Sequence, residues 1–299
     1  MSLALAPMVG RLHSAYGRVC NAMRGLTIAT LAGVSPMLLN CTVVAPVGGG
    51  DRIVSIDYCA DQMVLGLVNR SRIAAVSAEA DSDLDFSSPL ARGLPRVRPS
   101  LEQILAMRPT MVVRSYAGGP QLESALRRAG VAVYTLNYSA TVADVDGAMT
   151  SAGVALDAQS AATRRSDSWH SSVARARALP RSTMAALYVT PGDVTTGPDS
   201  FVAELIRTAG YRNYVTRNGW HRLPIEVMVG KAPDIVVRGF FGATANQQDR
   251  WSSALHSEFV RVTRDVPAIE LSGSDLACGN WLAGRALDQM VAQRNRAGT

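Results

Sequence analysis

The sequence predicts an α/β fold of two lobes, each with a mostly parallel sheet covered by helices. Short β-branched runs alternate with helical patterns over residues 51–140 and again over residues 181–299, as in parallel sheets. Residues 141–180 lack a strand pattern and are rich in Ala and Arg, which indicates a helical connector. A segment of the first half also recurs in the second. We therefore expect two Rossmann-like lobes joined by a long connecting helix.

Composition excludes several classes of protein. Of 299 residues, 47% are hydrophobic and 18% charged, so the chain is neither disordered nor collagen-like. The formal charge is +6, but the first 50 residues carry three arginines and no acid, leaving +3 for the remainder. No basic stripe is indicated, and we expect no nucleic-acid partner.

Residues 1–50 have the pattern of a leader segment. Residues 25–50 carry no charge and follow Arg24, and a basic flank before a short apolar run is typical of a secretory signal. Residues 38–41 resemble a bacterial lipoprotein cleavage box, although Asn40 replaces the usual small residue. We expect export by an N-terminal signal, with cleavage or a lipid anchor at Cys41. A membrane anchor is the alternative, although a glycine and a proline interrupt the apolar run.

Cysteine usage agrees with export. If Cys20 and Cys41 belong to the leader, the exported body keeps Cys59 and Cys278. An even number of cysteines in an oxidising compartment favours a disulfide, and two separate buried thiols are the alternative. Their spacing matches no zinc ligand set, and we expect neither a metal site nor a cofactor.

Each predicted element of the first lobe rests on a β-branched run or a helical pattern. In chain order they are a strand at Ile53–Ile56, a helix at Asp61–Val68, a strand at Ile73–Val76, a helix from Ser100, a strand at Met111–Arg114, a helix after Pro120 and a strand at Val131–Tyr134. Ser100 with Gln103 forms a capping-box pattern, and Pro120 suits a first helical turn.

The second lobe repeats this alternation after a connector that ends at Pro180. Its predicted elements are a strand at Ala185–Val189, a helix at Ser200–Ala209 closed by Gly210, strands at Asp234–Val237 and Ala268–Leu271, and a last helix from about Asn280.

An internal repeat supports the two-lobe prediction. Residues 101–118 align without a gap with the segment that begins at Ile225, 124 residues later. The matched pairs include Glu102 and Glu226, Pro109 and Pro233, Arg114 and Arg238, Tyr116 and Phe240, and Gly118 and Gly242. Unrelated helix–strand units could share the proline by convergence. Convergence explains the shared acid and the shared Arg-x-aromatic pattern less easily. We expect each lobe to carry the same helix, strand and loop.

Residues just after the predicted strands are the candidate ligand contacts, because ligands of open parallel sheets bind beyond the carboxyl ends of the strands. They are Asp57, Tyr58, Cys59, Glu79, Arg114, Tyr116, Tyr138, Arg238, Phe240, Phe241, Ser274 and Asp275. Guanidinium groups suit carboxylate or phosphate, and aromatic faces cover a flat or apolar body. The repeat therefore predicts a cleft that presents arginine and an aromatic from each lobe. Solvated arginines and core aromatics are the alternative.

Four segments resemble the helical-backbone (class III) periplasmic binding proteins of ABC importers, which capture cobalamin, ferric siderophores and heme. The segments are Arg52–Gln62, Leu101–Val113, Thr196–Phe201 and Pro224–Val237, and the resemblance covers about Arg52 to Val291. It implies a monomeric periplasmic binding protein, not an enzyme. Its ligand would be an iron chelate or a cobalamin-like corrinoid, and its partners an ABC permease and ATPase.

The resemblance also assigns roles to single residues. Members of that family dock through one Glu on each lobe, and the matching positions are Glu102 and Glu226. The relatives that carry cobalamin stack it on a Trp six residues before the second Glu, where Trp220 stands, and Tyr116 falls at the stacking position of the first lobe. With Tyr58, Arg114, Arg238 and Phe240, these aromatics are the predicted ligand-binding residues.

Two departures bear on the ligand and on the alternative function. Glu79 and Arg96 stand where cobalamin carriers have aromatics, which favours a more charged ligand such as a ferric chelate. The sequence contains no Gly-x-Ser-x-Gly, Walker or His-Glu-x-x-His motif. The remaining alternative is a secreted thiol-dependent enzyme on the same fold, with Cys59 as nucleophile assisted by His221.

Overall fold

The computed structural model of the protein describes residues 51–80, 88–240 and 257–297. The predicted signal and the lipid anchor at Cys41 lie outside these residues. Within them, every helix is too short or too polar to cross a membrane.

The first sheet has five parallel strands, formed by the β-branched runs of the first lobe. They are β1 (Ile53–Ser55), β2 (Ile73–Ser77), β3 (Arg96–Val97), β4 (Met111–Arg114) and β5 (Ala132–Thr135). Their order is β3-β2-β1-β4-β5, with β1 at the centre. The carboxyl ends of β1, β4 and β5 therefore meet at one edge of the sheet.

The helices of the first lobe are α1 (Tyr58–Leu67), a 3-10 turn at Arg70–Arg72, α2 (Ser88–Ala91), α3 (Leu101–Ala106) and α4 (Gly119–Arg128). Ser100 caps α3 by accepting a hydrogen bond from the backbone N–H of Gln103 at 3.3 Å. The Gln103 side chain instead accepts from the N–H of Arg98 at 2.9 Å. Of the two hydrogen bonds of the predicted capping box, only the one accepted by Ser100 is present. The Gln103 side-chain amide is bonded instead to the turn before α3.

The connector contains two helices, α5 (Asp144–Ala155) and the long helix α6 (Gln159–Ala178). Asp157 lies between them with a φ of 47°, in the left-handed region that ends a helix. Trp169 of α6 is fully buried at 1% exposure. The long predicted connecting helix is α6, and a shorter helix precedes it.

The second lobe has a four-stranded parallel sheet and a separate two-stranded antiparallel ribbon. Its strands are β6 (Ala185–Val189), β7 (Val194–Thr196), β8 (Arg212–Asn213), β9 (Trp220–Arg222), β10 (Ile235–Gly239) and β11 (Ala268–Leu271). The sheet order is β11-β10-β6-β8, and β7 pairs with β9 to form the ribbon. The ribbon was not predicted, because its strands are short and lack apolar alternation.

The helices of the second lobe are α7 (Phe201–Thr208), α8 (Ile225–Gly230), α9 (Ser257–Thr263), α10 (Gly273–Leu276) and α11 (Ala283–Ala297). The largest hydrophobic core continues from the first lobe through α6 to α11, and includes Met63, Trp169 and Leu287. Both lobes therefore share buried side chains rather than being joined by a bare linker.

The internal repeat is visible in the structure. Helices α3 and α8 have the same length and lie 124 residues apart, and β4 and β10 begin at that same offset. Ile104 and Met228, equivalent residues of the two helices, are both buried. Each helix thus packs one apolar side chain inward, and the glutamate two residues earlier in the chain is exposed.

Candidate ligand-binding cleft

Two adjoining cavities of about 360 and 170 Å³ lie between elements of the two lobes. They share Tyr58, Tyr138, Ala277 and Gly279 among their lining residues, so we treat them as one cleft. The aromatic lining residues are Tyr58, Tyr116, Tyr138, Tyr188, Phe201, Trp220 and Phe240. Three of the tyrosines follow β1, β4 and β5 directly or closely, as expected for a site beyond the strand ends.

The wall from the first lobe is a pair of tyrosines held by one acid. The rings of Tyr58 and Tyr116 are 5.7 Å apart between centroids and tilted by 56°. Glu79 accepts hydrogen bonds from the Tyr116 hydroxyl at 2.8 Å and from the Tyr58 backbone N–H at 3.3 Å. Burial, followed by Glu79, raises the pKa of both phenols. Both hydroxyls are therefore protonated at neutral pH.

Asp57 holds this wall in place through hydrogen bonds to its backbone. Its side chain is fully buried and caps α1, where Oδ1 accepts from the Ala60 N–H at 2.9 Å. The same carboxylate accepts from the Ser115 hydroxyl and N–H, each at 2.7 Å, and from the Ala117 N–H at 3.4 Å. One acid thus fixes both the helix start that carries Tyr58 and the loop that carries Tyr116.

The wall from the second lobe combines Trp220, Tyr188 and Phe240. Trp220 is 57% exposed, and its ring meets that of Tyr188 edge-on at 6.3 Å. A Cβ atom on Gly239 would lie 2.7 Å from the Tyr188 hydroxyl, so glycine is required beside this ring. Burial raises the pKa of Tyr188. Within the described part of the chain its hydroxyl has no hydrogen-bond partner, and it lines the smaller cavity.

The floor of the cleft joins the two lobes. Cys59 and Cys278 line the larger cavity and form a disulfide, with their Cα atoms 5.4 Å apart. Beside it, the Gln62 amide donates to the Ser274 carbonyl at 3.1 Å and accepts from Asn280 at 2.8 Å. The sulfur of Cys59 is bonded to another sulfur, so it is not available as the nucleophile of a thiol enzyme.

Neither Arg114 nor Arg238, which the sequence predicts to face the ligand, is among the described residues that line the two cavities. Arg114 is 7% exposed, and its guanidinium donates to the carbonyls of Gly119 at 2.7 Å and Tyr116 at 3.4 Å. It also lies 3.5 Å from Glu123. Arg238 pairs at 3.0 Å with Glu270 of the neighbouring strand. Arg114 therefore supports the loop that carries Tyr116.

Other predicted residues also lie outside the cleft. Arg96 donates to the carbonyls of Ala91 and Leu94, at 3.1 and 2.8 Å, and thereby holds the turn before β3. His221 lines a different cavity. Among the described residues that line the cleft, none carries a formal charge. The described residues contain no group of three or more His, Cys, Asp or Glu side chains placed to hold a metal.

Tyr138, a candidate because of its place after a strand, follows β5, is 79% exposed and lines the cleft. Two other aromatic residues of the cleft, Tyr188 and Phe201, were not among the predicted ligand contacts. Tyr188 lies inside β6, where the sequence indicated only a buried strand residue. Only the tertiary packing of Gly239 and Trp220 shows that its ring reaches a cavity.

The predicted docking acids lie apart from the cleft lining. Glu102 and Glu226 are each the second residue of their helices, α3 and α8, and both are exposed. Within the described residues neither carboxylate forms an ion pair. Val227 and Val229, on α8, are 61% and 53% exposed.

Comparison with known families identifies the chain. Residues 53–250 match the family model described as periplasmic binding protein. The chain belongs to the periplasmic binding protein family. The resemblance inferred from the four sequence segments is thereby confirmed. A comparison with curated protein sequences finds no match.

Solved structures of periplasmic binding proteins share this fold. Heme-binding HutB of Vibrio cholerae superposes with a TM-score of 0.66 at 17% identity, covering 81% of this chain and 98% of that one. Heme-binding RhuT of Roseiflexus sp. RS-1 gives 0.64 at 19%, covering 82% and 97%. Vitamin B12-binding BtuF of Vibrio cholerae gives 0.61 at 20%, covering 83% and 98%. The predicted class III fold of two parallel-sheet α/β lobes is confirmed.

Proposed function

We propose that this periplasmic binding protein is the substrate-binding component of an ABC importer and captures a metal chelate or corrinoid in the cleft. The observation that carries the proposal is the aromatic lining contributed by both lobes, with no formally charged side chain among the described lining residues. The larger cavity, about 360 Å³, lies within the range of small-molecule sites. The role is binding rather than catalysis.

The lining refines the class of ligand. The lining rings are uncharged, and an acid, Glu79, lies beside Tyr116 and Tyr58. Burying an anionic group here is unfavourable, because no described Arg or Lys among the lining residues compensates it. The ligand therefore presents a flat or apolar, uncharged body to the aromatic rings and keeps any acidic groups at the solvent-facing rim. This replaces the expectation of an anion held between Arg114 and Arg238. Structural relatives described as heme-binding and vitamin B12-binding support this class.

Two phenols supply polar contacts within this apolar lining. Tyr188 lines the smaller cavity, and its buried hydroxyl has no partner among the described residues, so it is the candidate hydrogen-bond donor to a ligand oxygen or nitrogen. The Tyr116 hydroxyl already donates to Glu79 and can also accept one hydrogen bond. Stacking on Tyr58, Tyr116, Trp220 and Phe240 would supply most of the affinity.

The test is a fluorescence-quenching screen with hemin, cyanocobalamin, a neutral ferric hydroxamate and an anionic ferric catecholate. Among the tryptophans of the described residues, Trp220 is exposed and serves as the reporter, whereas Trp169 and Trp281 are buried. We expect saturable binding of at least one ligand. Trp220→Ala should weaken it by about 2 kcal/mol, roughly 30-fold, the scale of burying one large aromatic side chain. Calorimetry measures this variant, which lacks the reporter.

A matched control is Val154→Ala, which removes another exposed apolar side chain, 64% exposed, outside the cleft. This control should bind as the unmodified protein does. Unchanged affinity in Trp220→Ala and in Tyr116→Ala would exclude the cleft as the binding site. Preference for the anionic catecholate over every other ligand would contradict the proposed ligand class.

We propose in addition that Glu102 and Glu226 dock onto the permease. Their equivalence in the repeat supports this, since a dimeric permease with a two-fold axis requires one matching contact from each lobe. Both acids are exposed without an ion-pair partner among the described residues, so their charge is available to a partner. The proposed site of action is the periplasm, with the protein as a monomer.

A further inference from the structure

A second cavity of about 360 Å³ lies on the second lobe and shares no lining residue with the cleft. Its lining residues come from β7, β9, the segment between β8 and β9, and the start of α8. They are Thr195, Tyr214, Val215, Thr216, Arg217, His221, Arg222, Pro224 and Val227. Three of these described lining residues are Arg or His, and none of them is acidic.

The two-stranded ribbon of β7 and β9 borders both this cavity and the cleft. In its antiparallel register Thr195 pairs with His221, and Thr196 pairs with Trp220. Trp220 lines the cleft, while Thr195, His221 and Arg222 line the second cavity. The two cavities are therefore neighbours along one ribbon, with separate lining residues.

The charge of this cavity comes from two arginines. A guanidinium nitrogen of Arg217 lies 2.6 Å from His221 Nδ1, and His221 Nε2 lies 3.1 Å from the Arg217 carbonyl. Arg222 is exposed, and its guanidinium has no hydrogen-bond or ion-pair partner among the described residues. The cavity therefore holds two positive charges without an acid in its lining.

One buried hydroxyl in the same lining lacks a partner. Thr195 is 0% exposed, and within the described residues its Oγ1 forms no hydrogen bond. A buried polar group without a partner is costly, and most such groups in proteins find one. A hydrogen-bond acceptor bound in the cavity would satisfy this hydroxyl.

We propose that this cavity is a binding site for an oxyanion, that is, for a phosphate or carboxylate group. Guanidinium groups bind such groups through paired, charge-assisted hydrogen bonds. Arg217 and Arg222 would supply the charge, and Thr195 would donate from its hydroxyl. The site shares no lining residue with the ligand cleft.

The test is calorimetric titration of the full chain with inorganic phosphate and with acetate at constant ionic strength. We expect saturable binding of at least one, and the tighter anion identifies the group that the site prefers. Arg222→Gln should weaken that binding about tenfold, the scale of one charged hydrogen bond. Arg217→Gln should weaken it at least as much, and Thr195→Val should weaken it by a smaller factor.

Arg222 is the decisive position, because its side chain has no partner among the described residues whose loss would disturb the fold. Arg128→Gln is the matched control, since Arg128 is exposed on the other lobe and also lacks a described partner. This control should bind the anion as the unmodified protein does. Equal affinity in Arg222→Gln and the unmodified protein, or no saturable binding of either anion, would overturn the proposal.

Discussion

The disulfide at the floor of the cleft makes a strong prediction about stability. Cys59 and Cys278 are separated by 219 residues, so the bond closes a loop that spans most of both lobes. With this loop length, the chain-entropy relation gives about 5.4 kcal/mol of stabilisation at 25 °C. Measured effects generally fall below this value. We expect Cys59→Ser with Cys278→Ser to lower the free energy of unfolding by about 3–5 kcal/mol.

Urea unfolding followed by circular dichroism measures this change, with and without a reducing agent. The unmodified protein should lose the same stability on reduction, whereas the double variant should not respond to the reductant. The shared core around Trp169 favours one cooperative transition. A loss below about 1 kcal/mol in the double variant would refute the inference that the disulfide constrains the two lobes.

The remaining predictions concern side chains that support the cleft and the core. Asp57→Asn should destabilise the protein by about 1–3 kcal/mol and weaken ligand binding, because the NH2 group of the new amide would face buried N–H donors that now bond to a carboxylate. Chemical denaturation measures the loss of stability, and ligand titration measures the loss of affinity. Arg114→Gln should lower stability by about 2 kcal/mol through loss of charged hydrogen bonds to the Tyr116 loop. If the variant lost more affinity for anionic than for neutral ligands, the inference that Arg114 does not contact the ligand would be contradicted. Burial raises the pKa of Tyr211 to about 12, opposed by Arg294, so stability should be level below pH 10 and fall as the pH rises towards 12. Tyr211→Phe should reduce that fall in pH-dependent denaturation, and an unchanged fall would contradict this assignment.

Much of the fold could be predicted because β-branched runs and glycine or proline signals are local. The predicted bounds of β4, β6 and β11 agree with the structure residue for residue. The repeat located α8, which has few helical signals of its own, through its match to α3. The ribbon of β7 and β9 was missed because three-residue strands show too little hydrophobic alternation, and because α7 and β8 separate them in the chain.

The candidate site was harder to predict. Tyr116 and Phe240 do line one cleft, because residues after parallel strands meet at one sheet edge. Trp220, which the family resemblance indicated, reaches the same cleft from β9. The arginines do not, because a long side chain can turn away from a strand end towards any acceptor within reach. Arg114 finds nearby carbonyls and Glu123. That choice depends on packing, which spacing alone does not encode.

The measurement that tests the central claim most directly separates ligand binding from delivery. Glu102→Ala with Glu226→Ala removes both proposed docking acids without touching the cleft lining. Truncating one partner of an interfacial charge pair can cost about 2–5 kcal/mol. The control removes two other exposed acids, Asp167 and Asp265, in the same way.

Ligand affinity and stimulation of ATPase activity are compared in vesicles that contain an ABC importer responsive to the unmodified protein. The double glutamate variant should keep its ligand affinity within about a factor of 2, yet lose stimulation at saturating ligand, since exposed acids contribute little to the fold. The aspartate control should retain both properties. Full stimulation by the double glutamate variant would contradict the docking assignment, and loss of its ligand binding would place these acids in the site itself.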